Sequence, residues 1–145
     1  MSSQIQKSSA FERERLIGPL NAISPYGFEC LIDLHSCDAL TFNRKSINRY
    51  FTELCKLIDM KKCKVHFWDD VGVASEERQT EPHTKGTSAV CFILTSTVVI
   101  HTLDLLGAVY VNIFSCKAFD SASAEEFTRQ WFKGHVAKST FVQRV

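Results

Sequence analysis

A chain of 145 residues with 45% hydrophobic and 23% charged residues has the size of one domain with a real core and the balance of an ordinary globular protein. Its formal net charge of +1, with scattered basic residues and no aromatic-interleaved basic patch, gives no footing for nucleic acid. No apolar run is long enough to span a bilayer and the start MSSQIQKSSAFERERL lacks the apolar core of a signal peptide, so a cytoplasmic protein without membrane contact is expected.

Residues 1–24 mix Ser, Gln and charge with few large apolar groups and read as a flexible leader to a domain over 25–145. Pro25, Tyr26 and Gly27 make a turn. Phe28 to His35 alternates Phe28, Cys30, Ile32 and Leu34 with Glu29, Leu31, Asp33 and His35, the period of a strand with one buried face. Between Phe42 and Ile58, the positions Ile47, Tyr50, Phe51, Leu54, Leu57 and Ile58 recur at helical spacing, which predicts an amphipathic helix on a sheet. Lys64 to Trp68 returns to strand character. Val71 to Gly86 is a long polar connection, and connections of that length in a compact domain are functional or disordered. The Lys85-Gly86-Thr87-Ser88 stretch is not a phosphate loop: Gly and Lys stand in the wrong order, and a strand follows instead of a helix.

From Thr87 to Cys116 the chain reads TSAVCFILTSTVVIHTLDLLGAVYVNIFSC, three buried strand segments at Val90–Leu94, Val98–Ile100 and Ala108–Phe114. Ser121 to Gly134 predicts a second helix, with Ser123 and Glu126 at capping-box spacing, Phe127 and Trp131 as core anchors and Gly134 as the stop. Ser139 to Val145 closes as a strand. The sum is an α/β protein, a two-layer α/β sandwich whose antiparallel sheet carries two helices on one face. The other face keeps apolar residues, which predicts a homodimer. The six cysteines form no C-x-x-C pair and no Cys/His quartet, so free thiols and no metal site are expected.

Four polar residues interrupt the apolar stretch: Ser88, Ser96, His101 and Cys116. Taken singly, each is better explained as structural, because strand-end hydroxyls satisfy backbone groups and isolated core thiols are inert. Their joint spacing changes that. TSTVVIHTLDLLG followed by FSCK resembles the ESH-x-x-x-H-T-W-P-E segment and F-T-C-G of the prokaryotic-type S-adenosylmethionine decarboxylase proenzymes, with no insertion from the serine to the cysteine. The resemblance runs more weakly from about Gly27 to the C-terminus, including LIDLHSCD at Leu31–Asp38.

That resemblance implies a chain that cuts itself between Thr95 and Ser96 and converts Ser96 into a pyruvoyl cofactor. It also implies His101 and Ser88 as the groups that assist processing. The pyruvoyl ketone would take a small-molecule amine substrate as a Schiff base and act as electron sink for loss of carbon dioxide, and Cys116 would return the proton. The same resemblance implies the two-layer fold and active sites at or near a subunit contact. It puts the Val71–Gly86 connection at the border of the site, within which His83, Lys85 and Glu77 are candidates to reach substrate or are solvated. The chain departs from the family pattern at Thr95 and Thr97, which stand for Glu and His, and at Leu103, Asp104 and Leu105, which stand for Trp-Pro-Glu. Leu103 and Leu105 fall at positions where the family binds adenine and ribose, and leucine offers neither a π face nor a hydrogen-bond acceptor. Three readings follow: decarboxylation of S-adenosylmethionine for spermidine synthesis, the same chemistry on ornithine or arginine, or an unprocessed member that binds a ligand or regulates a partner.

Overall fold

Burial alternates along the strands of the computed structural model, which describes residues 24–145; but for Ser24, the leader expected over residues 1–24 lies outside them. In β1 (Gly27–His35) Cys30, Ile32 and Leu34 point into the core. In β3 (Gly86–Ile93) Thr87, Ala89, Cys91 and Ile93 do so, and in β4 (Ser96–Leu103) Ser96, Val98, Ile100 and Thr102. With β2 (Lys62–Trp68), β5 (Ala108–Ser115) and β6 (His135–Arg144) they form one antiparallel sheet in the order β2-β3-β4-β5-β1-β6.

Helices α1 (Arg44–Leu57) and α2 (Ser121–Phe132) lie on one face of it, and the core sits between the layers. Ile47, Tyr50, Phe51 and Leu54 of α1 are fully buried against the sheet, each worth about 1.5–3 kcal/mol of transfer free energy. Tyr50 keeps its hydroxyl satisfied by Thr128 of α2 at 2.9 Å, which ties the two helices together. The fold is thus the two-layer sandwich read from the sequence, with six strands and two helices in the expected order.

Three local readings need correction. The middle strands are longer than expected, because the inward polar residues Thr87 and Thr102 bond each other across the ladder: Thr102 Oγ1 accepts from Thr87 N at 3.1 Å and donates to Thr87 O at 3.3 Å. The N-cap of α2 is Asp120, which accepts from Ser123 N at 3.1 Å, while Glu126 pairs with Arg129; the spacing of Ser123 and Glu126 is therefore not a capping box. The left-handed residue ending α2 is Lys133 (φ 54°), not Gly134. Gly134 is required for another reason, since a Cβ there would stand 2.5 Å from Cys37 Sγ and 3.0 Å from His35 O.

Candidate active site

Strands β3 and β4 are joined by a two-residue turn, Leu94–Thr95, closed by the pair Ile93 and Ser96. Thr95 sits in the left-handed region at φ 63°, a conformation that costs a β-branched residue about 1–2 kcal/mol. Its hydroxyl donates to Leu94 O at 2.7 Å and lies 3.3 Å from Cys116 Sγ. Next along the chain, Ser96 is 6% exposed and its Oγ accepts from the backbone N–H of Cys116 at 3.0 Å. The strained turn residue, the serine and the thiol therefore form one group.

Cys116 is fixed from behind. Ser115 turns inward at the end of β5, donating to Lys117 O at 2.7 Å and accepting from Lys117 N at 3.0 Å, and Lys117 pairs with Asp59 at 2.5 Å. Hydrogen bonding from Thr95 and then Ser96 holds the exposed Cys116 thiol below its ordinary pKa. Sequence reasoning missed Ser115; its signal is an inward-facing serine at the last position of a strand.

At the far end of the same two strands, Ser88 and His101 are cross-strand partners, with Ser88 Oγ 2.8 Å from His101 Nδ1. Both belong to the face without helices. They lie in one row across the sheet with Trp68 on β2 and Tyr110 on β5. That row borders a cleft of about 490 Å³, also lined by Gln79, His83 and Leu103. Lys85 lines a neighbouring cleft of about 610 Å³ with Arg44 and Asp104. Burial pushes the Asp104 carboxyl up, against the pull of Lys85. Leu105, 57% exposed in the β4–β5 turn, and Glu77 line neither cleft.

The four residues singled out in the sequence thus fall into two groups. Ser96 and His101 are five residues apart on one continuous strand, roughly 17 Å. An odd separation also sets them on opposite faces: Ser96 points to the helices and His101 to the open face. Within one chain, among these four, the serine meets the thiol and the imidazole meets Ser88. The sequence held the signal, since residues five apart in one strand never share a face. Among the described residues no group of three His, Cys, Asp or Glu is placed to hold a metal ion, and no described helix is long and apolar enough to cross a membrane.

The family model of S-adenosylmethionine decarboxylase matches residues 28–145. Among solved structures, the crystal structure of the adenosylmethionine decarboxylase from Aquifex aeolicus superposes with a TM-score of 0.63 at 18% identity, over 83% of this chain and 91% of that one. At that identity the likeness is one of fold. No curated protein matches the sequence.

Proposed function

Starting from the fact that the chain belongs to the S-adenosylmethionine decarboxylase family, we propose that it is a self-cleaving, pyruvoyl-dependent decarboxylase. Its substrate is S-adenosylmethionine, its product the decarboxylated aminopropyl donor for spermidine synthesis, and it works as a homodimer. The observation that carries this reading is the Thr95–Ser96 turn, where a left-handed threonine precedes a buried serine whose hydroxyl is held by Cys116 N at 3.0 Å.

Each residue has a task that its position suits. Ser96 Oγ adds to the Thr95 carbonyl carbon, exchanging the peptide bond for an ester and freeing the amine of residue 96. Breaking that bond opens the two-residue turn and releases the left-handed strain at Thr95. Removal of the α-proton of residue 96 expels the Thr95 carboxylate, and water then replaces the nitrogen, which leaves as ammonia. His101 is the base for the α-proton and Ser88 the donor to the developing oxyanion; their 2.8 Å contact fixes which imidazole nitrogen is engaged. A pyruvoyl group at position 96 supplies an electron sink for loss of carbon dioxide. Cys116, whose backbone N–H lies 3.0 Å from Ser96 Oγ, stands beside position 96 and holds at Sγ the proton delivered to the product carbon.

A second copy completes the arrangement. Ser88 and His101 lie on the open sheet face at one end, and Thr95 and Cys116 lie at the other. Two such faces laid together about a two-fold axis put one copy's Ser88 and His101 against the other copy's turn, giving two equivalent sites. Val90, Val99 and Phe114 between the two ends supply apolar contact, with Leu31 and Phe92 also exposed there. Intact-mass spectrometry tests the reading. We expect two fragments meeting at Thr95–Ser96, the second carrying a ketone in place of its amine, and full-length protein only from Ser96→Ala. A wild-type chain that stays whole on long incubation overturns it.

A further inference from the structure

The larger of the two clefts, about 610 Å³, takes no part in the chemistry above. It lies where α1 begins against the start of β3, with Phe42 and the inward-facing Thr87 in its wall, and shares only Asp69, Asp70 and Gly86 with the cleft beside Ser88 and His101. Four cations line it: Arg44 and Lys45 in the first turn of α1, and Arg78 and Lys85 in the β2–β3 connection. Arg44 is committed to Asp69 through bonds of 2.7 and 2.6 Å. Lys45, Arg78 and Lys85 have no carboxylate partner among the described residues, and Arg78 gives only its Nε, to Val73 O at 2.8 Å.

Against them stand Asp70, whose Oδ2 accepts from Gln79 N at 3.0 Å, and Asp104. Three uncommitted cations thus outnumber two carboxylates, and such an excess on concave walls draws anions. The start of α1 adds to it: Asn43 Oδ1 accepts from Ser46 N at 2.9 Å, which leaves the amides of Arg44 and Lys45 without an intrahelical partner. A phosphate group suits these donors, since it carries up to two charges and accepts several hydrogen bonds at once. The cleft is larger than a phosphate alone and has the volume of a small-metabolite site. We propose that it is a second ligand site, which takes a phosphate-bearing small molecule through Lys45, Arg78 and Lys85. Such a ligand ties the β2–β3 connection to α1, and it does so whether or not the chain is a decarboxylase.

The probe is inorganic pyrophosphate, titrated calorimetrically into the full-length protein in metal-free buffer at constant ionic strength. We expect saturable binding and protection of the Arg78–Gln79 and Lys85–Gly86 bonds from trypsin, neither of which sodium chloride at the same ionic strength should give. Arg78→Gln and Lys85→Gln should each weaken binding about tenfold. Lys56→Gln removes the same charge from the far end of α1, where Lys56 pairs with Glu53, and should leave the affinity unchanged. Asp70→Asn should strengthen binding, because a repelling charge is gone while an oxygen remains to accept from Gln79 N. Parallel titrations with orthophosphate and ribose 5-phosphate show whether the group is taken free or as an ester, and saturable binding of either supports the site. No saturable binding of any of the three, equal loss in Lys56→Gln and Lys85→Gln, or weaker binding in Asp70→Asn overturns it. Pyrophosphate binding by a chain that is never cut sinks the decarboxylase and leaves this site standing. A cut, active chain that ignores all three phosphates does the reverse.

Discussion

Thr95 is asked for two things at one position. Its backbone occupies a conformation natural to glycine, and its hydroxyl bridges Leu94 O and the Cys116 thiol. Glycine would relax the turn but leave the thiol without its neighbour, whereas valine keeps the branched side chain and loses only the oxygen. In the uncut His101→Ala background, Thr95→Val should therefore move the pH midpoint of Cys116 alkylation upward, because the group that most lowers this thiol's pKa is gone while Ser96 remains. Peptide-level mass spectrometry after timed iodoacetamide exposure across a pH series measures it. An unchanged midpoint would mean that the 3.3 Å contact does not govern the thiol.

Among the elements, the connection from β2 to β3 matters most, because it walls the cleft and is held by few ties. Arg44 in the first turn of α1 reaches across to Asp69 at the end of β2, and its guanidinium lies 5.6 Å from the Phe67 ring centre. That guanidinium, opposed by burial and helped by Val71 N, holds the Asp69 carboxyl below the usual carboxylate range. The sign follows. A lowered folded pKa contributes stability above the ordinary carboxylate range, and the contribution is lost as pH falls through the folded value. Arg44→Ala should destabilise the fold at neutral pH, since Asp69 is 6% exposed and loses its partner. The gap from wild type should close on acidification below the range where free carboxylates titrate. Urea denaturation at neutral and acid pH checks both; a gap that widens in acid would exclude the pair as its source.

For the molecule as a whole, the separation of Ser96 from His101 turns a question about chemistry into one about assembly. If each site takes its serine and thiol from one copy and its histidine from the other, two defective chains can repair each other. Ser96→Ala and His101→Ala should each remain uncut alone. Co-expressed, they should yield mixed dimers in which the His101→Ala chain is cut by the intact histidine of its partner, visible as its two fragments by mass. Cutting of the Ser96→Ala chain is chemically excluded, which makes it the internal control. No fragments from a verified mixed dimer would place the site within one chain and require the β3–β4 hairpin to rearrange.

Much of this architecture was legible because it follows from short-range rules. Alternation in Phe28–His35 and helical recurrence between Phe42 and Ile58 each reflect a repeat of the backbone itself, so they survive whatever the element packs against. The spacing from Ser96 to Cys116 likewise marked two residues that do meet, across the β4–β5 ends. Strand lengths were less visible, since Thr87 and Thr102 look like interruptions until each is seen to satisfy the other across the ladder. What only the tertiary structure decided is company: that Asp120 rather than Ser123 caps α2, that Trp68 stands beside Ser88 though twenty positions separate them, and that His101 meets Ser88 across the ladder. A strand's sequence sets which of its residues share a side, but the register of its neighbours sets what they face there.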